Sequence, residues 1–207
     1  MLGQRASFSS LGRFLVLVVV AADGCAGMQA ARKPDPVLQP YLACQSSDPD
    51  VRVVHTDRWP GRETFREVNF GTESRRVSVV DGYRLLYAQG GTETPFANVK
   101  VERSAPTEYA ADKAFLVRMQ QSMPKFDSVT YWSAAVNGME VHGIDKTAID
   151  VGGVVGVYMI FEDRKQVVTS IYMLNQNPKV RKFVDLASYK VVRDRFLDGL
   201  TRCASSH

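Results

Sequence analysis

Val129-Thr130-Tyr131-Trp132-Ser133-Ala134-Ala135-Val136-Asn137-Gly138-Met139-Glu140-Val141-His142-Gly143-Ile144 is the stretch on which the fold turns. Thr130, Trp132, Ala134 and Val136 share one side of a period of two, and the alternation resumes over residues 139–144. A period of two places successive side chains on opposite faces of a pleated strand, so each half reads as a strand with one buried face. Between the halves stands Asn137-Gly138, a pair that tolerates the positive φ angles of a tight type I′ turn. The whole is therefore expected to be an antiparallel hairpin.

The neighbouring segments extend the same pattern. Residues 154–161 and 167–174 are apolar on both faces and are separated by the polar run Glu162-Asp163-Arg164-Lys165-Gln166, which suits two strands at the centre of a sheet covered on both sides. Arg76-Val77-Ser78-Val79-Val80, then Asp81-Gly82, then residues 83–87 read as a third hairpin, because Asp-Gly also tolerates a type I′ turn. Short runs at 51–55 and 63–69 add further strands. Two helices interrupt them. Thr107 is an N-cap candidate, and Ala111, Phe115, Met119 and Met123 follow at steps of four until Pro124 stops the run. The second helix begins near Asp185, with Tyr189, Val192, Phe196, Leu200 and Cys203 on one face opposite Lys190, Arg193, Asp194 and Arg202. The expected class is α+β: an antiparallel sheet built from hairpins and covered by two main helices.

Gly82-Tyr83-Arg84 on one strand, Ala97-Asn98-Val99-Lys100-Val101 on the next, then a helix, paired hairpins and a C-terminal helix form an order of elements that spans residues 82–203. That order resembles the PsbP-like fold, an α/β/α sandwich around an antiparallel sheet found in photosystem II extrinsic proteins and in exported bacterial lipoproteins. The resemblance implies an accessory or binding module more often than an enzyme.

The first residues give an address. Arg5 and Arg13 precede the apolar run Phe14-Leu15-Val16-Leu17-Val18-Val19-Val20-Ala21-Ala22, the charge and hydropathy pattern of a secretory leader over residues 1–24. As a helix that run is about 13 Å long, against roughly 30 Å of bilayer hydrocarbon, so it is too short to span. Ala22-Asp23-Gly24-Cys25 resembles a lipobox, in which small residues precede a cysteine that is acylated; Ala22 and Asp23 stand where that pattern has Leu and a small uncharged residue. The competing site cuts after Ala22 and releases a chain starting at Asp23. Residues 25–40, with Pro34, Pro36 and Pro40, read as a tether that reaches up to about 45 Å if extended. Residues 41–207 are read as a single domain, long enough to bury a core without a metal.

If Cys25 carries lipid, Cys44 and Cys203 remain as a pair near the two ends of the domain. A bridge between them is the favoured reading, and closing so long a loop contributes at most about 5 kcal/mol. The alternative makes Cys203 a small buried hydrophobe and Cys44 a free thiol. No Cys-x-x-Cys or Cys/His ligand spacing occurs, so neither a metal nor a cofactor is expected.

Basic residues are interspersed with acids, as in Arg193-Asp194-Arg195, within a net charge of +4, which speaks against a nucleic-acid partner. Ser122-Met123-Pro124-Lys125 has the Ser-x-x-Lys spacing of penicillin-recognising enzymes, but Pro124 breaks the helical turn that spacing needs, and Lys146-Thr147-Ala148 lacks the companion glycine. His142, beside Glu140, reads as a surface or cross-strand residue, and His55 with Asp57 as a local pair. Trp59-Pro60-Gly61-Arg62 offers an indole and a guanidinium for partner contact, or a loop anchored by its own Trp. Residues 175–182 form a polar, basic connection suited to anionic headgroups or to plain solvation. The expected function is an exported envelope protein, lipid-anchored through Cys25 or released, that acts as a binding or accessory module for an envelope protein or small ligand. The alternative is a periplasmic hydrolase that assembles His55, Asp57 or Ser122.

Overall fold

The computed structural model describes residues 33–44, 49–58, 65–70, 72–125, 128–149, 153–175 and 183–206. The chain divides into a unit of residues 1–33 and one of residues 34–207, and every described strand and helix belongs to the second. Nine strands run in chain order: β1 (Val51–Arg58), β2 (Phe65–Phe70), β3 (Glu73–Ser78), β4 (Asp81–Gln89), β5 (Ala97–Arg103), β6 (Val129–Val136), β7 (Met139–Lys146), β8 (Val154–Glu162) and β9 (Val167–Leu174). Helices are α1 (Gln39–Ala43), entered through a 3-10 turn at Pro36–Leu38, α2 (Tyr109–Ser122) and α3 (Leu186–Ser205).

Seven strands form one fully antiparallel sheet in the order β1-β4-β5-β9-β8-β7-β6, and β2 and β3 pair separately. The doubly apolar strands β8 and β9 lie inside the sheet, where both faces are covered. Tyr158 and Ile160 point into a core closed by α1 and α3, whereas Met159 and Phe161 point into a second core with Tyr109, Phe115 and Leu116 of α2 and Val77 of β3. One strand thus separates two hydrophobic layers, which is what a period of two with apolar residues at every position produces.

The Asn137-Gly138 turn forms as its chemistry requires, with φ of 50° and 77°. The Asp81-Gly82 hairpin does not form. Both residues begin β4, which pairs with β1 and β5, while β3 turns away to pair with β2. The Asp81 carboxylate is drawn inward, where it accepts from Arg58 Nε at 2.8 Å and from the backbone N–H groups of Asp35 and Gly82. That buried network competes with the turn and wins, because a buried carboxylate needs its donors.

Order begins earlier than the expected start at Tyr41. Asp35 caps the 3-10 turn by accepting from Val37 N–H, and Leu38 and Tyr41 are buried. α2 starts after Glu108 with no side-chain cap, in place of the expected Thr107 cap. α3 starts as expected, with Asp185 and Ser188 forming a reciprocal capping box. Its face carrying Tyr189, Phe196 and Leu200 is buried, and Cys203 is joined to Cys44 by a disulfide with Cα atoms 5.5 Å apart. No described helix is long and apolar enough to cross a membrane.

Candidate functional site

Register places a glycine opposite an indole. A two-residue turn at 137–138 pairs Val136 with Met139 and therefore Trp132 with Gly143, and Gly143 in turn faces Tyr158 on β8. The indole lies flat over that glycine: a Cβ there would sit 2.4 Å from Trp132 Cε2. Two residues along β7, Asp145 pairs with Gly156, where a Cβ would sit 1.9 Å from Tyr189 Oη. The two glycines leave room for three aromatic rings at the end of the sheet. Between those rings the Asp145 carboxylate accepts from Trp132 Nε1 at 2.7 Å, from Tyr189 Oη at 3.1 Å, from the Tyr158 hydroxyl and from the Arg193 guanidinium. Burial, and then the neighbouring Tyr189 and Asp145, push the Tyr158 hydroxyl far above its ordinary range. Tyr189 is pushed up by burial first and by Asp145 second. Arg193 also stacks over the Trp132 ring, 5.1 Å from its centroid.

This cluster floors a groove of about 590 Å³ between β6 and α3. Thr130, Trp132, Ala134 and Val136 supply one wall from alternate positions of β6, and Leu186, Lys190, Arg193 and Leu197 supply the other from one stripe of α3. Asn137 Nδ2 ties the hairpin to α3 by donating to Thr201 Oγ1 at 2.9 Å, which holds the two walls together. Lys146 and Lys190 line the groove, and neither forms an ion pair among the described residues. Asp145 and Asp194 line it too, both paired with Arg193, so the groove combines an apolar body with a small excess of cations over carboxylates, a lining suited to a ligand with an apolar part and an anionic group.

The opposite face carries a polar relay. Tyr131 Oη lies 2.6 Å from His142 Nδ1, and His142 Nε2 lies 2.6 Å from Glu140 Oε1. Glu140 and His142 are two apart on β7, so the pleat puts them on one side. Lys113 of α2 donates to Glu140 Oε2 at 2.6 Å and to Asp163 Oδ1 at 2.8 Å. Glu140 is held below its usual range by the His142 hydrogen bond first and Lys113 second. His142 is 5% exposed with Phe161 edge-on against its ring and pairs across the strands with Ser133 and Met159, so of the two positions expected of it the cross-strand one holds and the surface one is corrected: the α2 layer covers it. The open depression of about 710 Å³ alongside is lined by Lys113, Gln121, Glu140 and Asp163 and not by His142.

The residues singled out from sequence are scattered. Cys25, Trp59, Arg62 and residues 176–182 lie outside the described residues. His55 Nε2 is 3.4 Å from Asp57 Oδ2, but the Arg84 guanidinium is the group that chiefly holds Asp57 below the carboxylate range. Ser122 donates to the Arg118 carbonyl at the end of α2, which packs on β6 and β7, whereas His55 is on β1 at the far edge of the sheet. The structure does not bring them together. Sequence reasoning missed Trp132, Asp145, Arg193 and the two glycines, although the hairpin register alone pairs Trp132 with Gly143. Among the described residues no group of His, Cys, Asp and Glu side chains is arranged to hold a metal ion. Compared with known protein families, with characterised proteins and with solved structures, the chain finds no match.

Proposed function

We propose that this chain is an exported envelope protein, held by a lipid on Cys25 or released after Ala22, whose PsbP-like domain is a binding module with its ligand seat between β6 and α3. The observation that carries the reading is the groove of about 590 Å³ floored by the Trp132-Asp145-Arg193 cluster and flanked by Lys146 and Lys190. Its indole is fixed by a hydrogen bond and a glycine floor, so binding there costs little ordering entropy. The antiparallel sheet between α1 with α3 and α2 with the β2–β3 hairpin supports the PsbP-like reading, and the Cys44–Cys203 bond fits an oxidising compartment. A photocrosslinking residue at Val136, on the groove wall, is expected to trap a discrete adduct in the native envelope that a crosslinker at Arg118 on α2 does not. The adduct disappears on Trp132→Ala. Equal trapping from both positions would remove the groove as the seat.

A second reading, a hydrolase, is favoured by one observation: Tyr131, His142 and Glu140 form a hydroxyl-imidazole-carboxylate chain with 2.6 Å links. With Nε2–H donating to Glu140, Nδ1 accepts from the Tyr131 hydroxyl and could take its proton. Ester hydrolysis abolished by both Tyr131→Phe and His142→Gln would support this reading, and hydrolysis untouched by them would end it.

A further inference from the structure

The geometry points to strand addition: we propose that the outer edge of β6 pairs with an extended segment of a partner protein whose every second residue is β-branched or aromatic, with an acidic residue among them. This deepens the groove reading above and rests on it. β6 ends the seven-stranded sheet, with β7 on one side only. Thr147 N–H bonds to the Ser128 carbonyl, and the register then assigns the backbone groups of Thr130, Trp132, Ala134 and Val136 to β7. The N–H and C=O groups of Val129, Tyr131, Ser133 and Ala135 point away from the sheet, and none has a backbone partner there among the described residues.

The two edges of the sheet are unlike. β1 carries Arg52, His55, Asp57 and Arg58 and is bulged between Val53 and His55, the devices by which an edge refuses a stranger. β6 has eight residues with no charge and no proline, and its register with β7 is unbroken. An added strand would lie about 4.8 Å beyond it, with every second side chain entering the groove under α3. There it meets Leu186 and Leu197 of α3 and, between them, Lys190, which lacks an ion-pair partner among the described residues, while Asp194 is paired with Arg193. Because the pleat sends only every second residue inward, apolar residues at alternate positions match the leucines, and an acidic one among them matches Lys190.

The test pans a displayed octapeptide library on the full chain and measures the enriched peptides by fluorescence polarisation. Enriched sequences are expected to carry β-branched or aromatic residues at every second position, with an Asp or Glu among them. Lys190→Glu is expected to weaken them about tenfold. Ser133→Pro, which removes an outward N–H and leaves the β7 ladder intact, is expected to weaken them at least as much, while Ser133→Thr leaves them unchanged. N-methylation of alternate peptide nitrogens supplies a readout that does not depend on a folded variant: one set of positions abolishes binding and the other does not. No enrichment, a basic consensus, or indifference to N-methylation in both sets overturns strand addition. A dimer that Ser133→Pro dissolves assigns the edge to a second copy of the chain and also overturns it. Binding lost in Trp132→Ala but indifferent to Ser133→Pro and N-methylation keeps the groove and removes the strand. Binding sensitive to N-methylation yet indifferent to Trp132→Ala keeps the strand and removes the groove.

Discussion

Gly143 matters because of what lies on it. A methyl group at this position would meet the Trp132 indole at 2.4 Å, backed on its other side by Arg193, so the ring has to leave its place and give up the Nε1 hydrogen bond to Asp145. Gly143→Ala is expected to cost about 2–3 kcal/mol in urea unfolding and to shift Trp fluorescence to longer wavelength. Asp81 makes a different argument. Burial works to raise its pKa, but the Arg58 guanidinium and the N–H groups of Asp35 and Gly82 outweigh it and hold the carboxyl below the reference value of 3.8. A lowered folded pKa means that its stabilisation is complete above that reference and is lost as pH falls through the folded value. Asp81→Ala should therefore cost about 3 kcal/mol at neutral pH, because it removes the carboxylate that accepts from Arg58 and from the N–H groups of Asp35 and Gly82. The gap between variant and parent should close as the pH is taken below 3.8, which denaturant titrations across the acid range will measure.

At the scale of elements, the Cys44–Cys203 bond fastens the end of α1 to the last turns of α3, across a sequence separation of 159. α1 alone is too short to hold itself on the sheet. Cys203→Ser is expected to lower stability by at most about 5 kcal/mol and to loosen residues around Tyr41 first, visible as faster amide exchange there than in β8. Strands with their own pattern were legible in the sequence: β6 to β9 and α3 stand where alternation, the Asn-Gly turn and the Asp185 cap place them. The Asp81-Gly82 turn was misread because its outcome depends on Arg58 and Asp35, which are remote in sequence and invisible to a local rule. The groove was half legible. Register pairs Trp132 with Gly143, but which stripe of α3 covers the pair depends on the layer arrangement, and the burial of His142 depends on where α2 crosses the sheet.

For the whole molecule, the proposed export and anchoring are tested at residues 22–25. If residues 1–24 are removed and Cys25 acylated, intact-mass analysis of membrane-fraction protein is expected to show a diacyl or triacyl addition. A soluble product beginning at Asp23 would reject the anchor while leaving the domain as described. Two cores on either side of one sheet, with a relay on one face and a groove on the other, give the molecule two chemically distinct sides that share strands β6 and β7. The covalent link between the opening and closing helices has a further result. An endoprotease that severs any single exposed turn between them linearises a loop but frees no piece, so the nicked protein migrates as one species until a reductant is added and then falls into two. Such a molecule tolerates surface damage that would dismantle an unlinked sheet, a useful property where degradative enzymes are met and no chaperone is at hand to rebuild it.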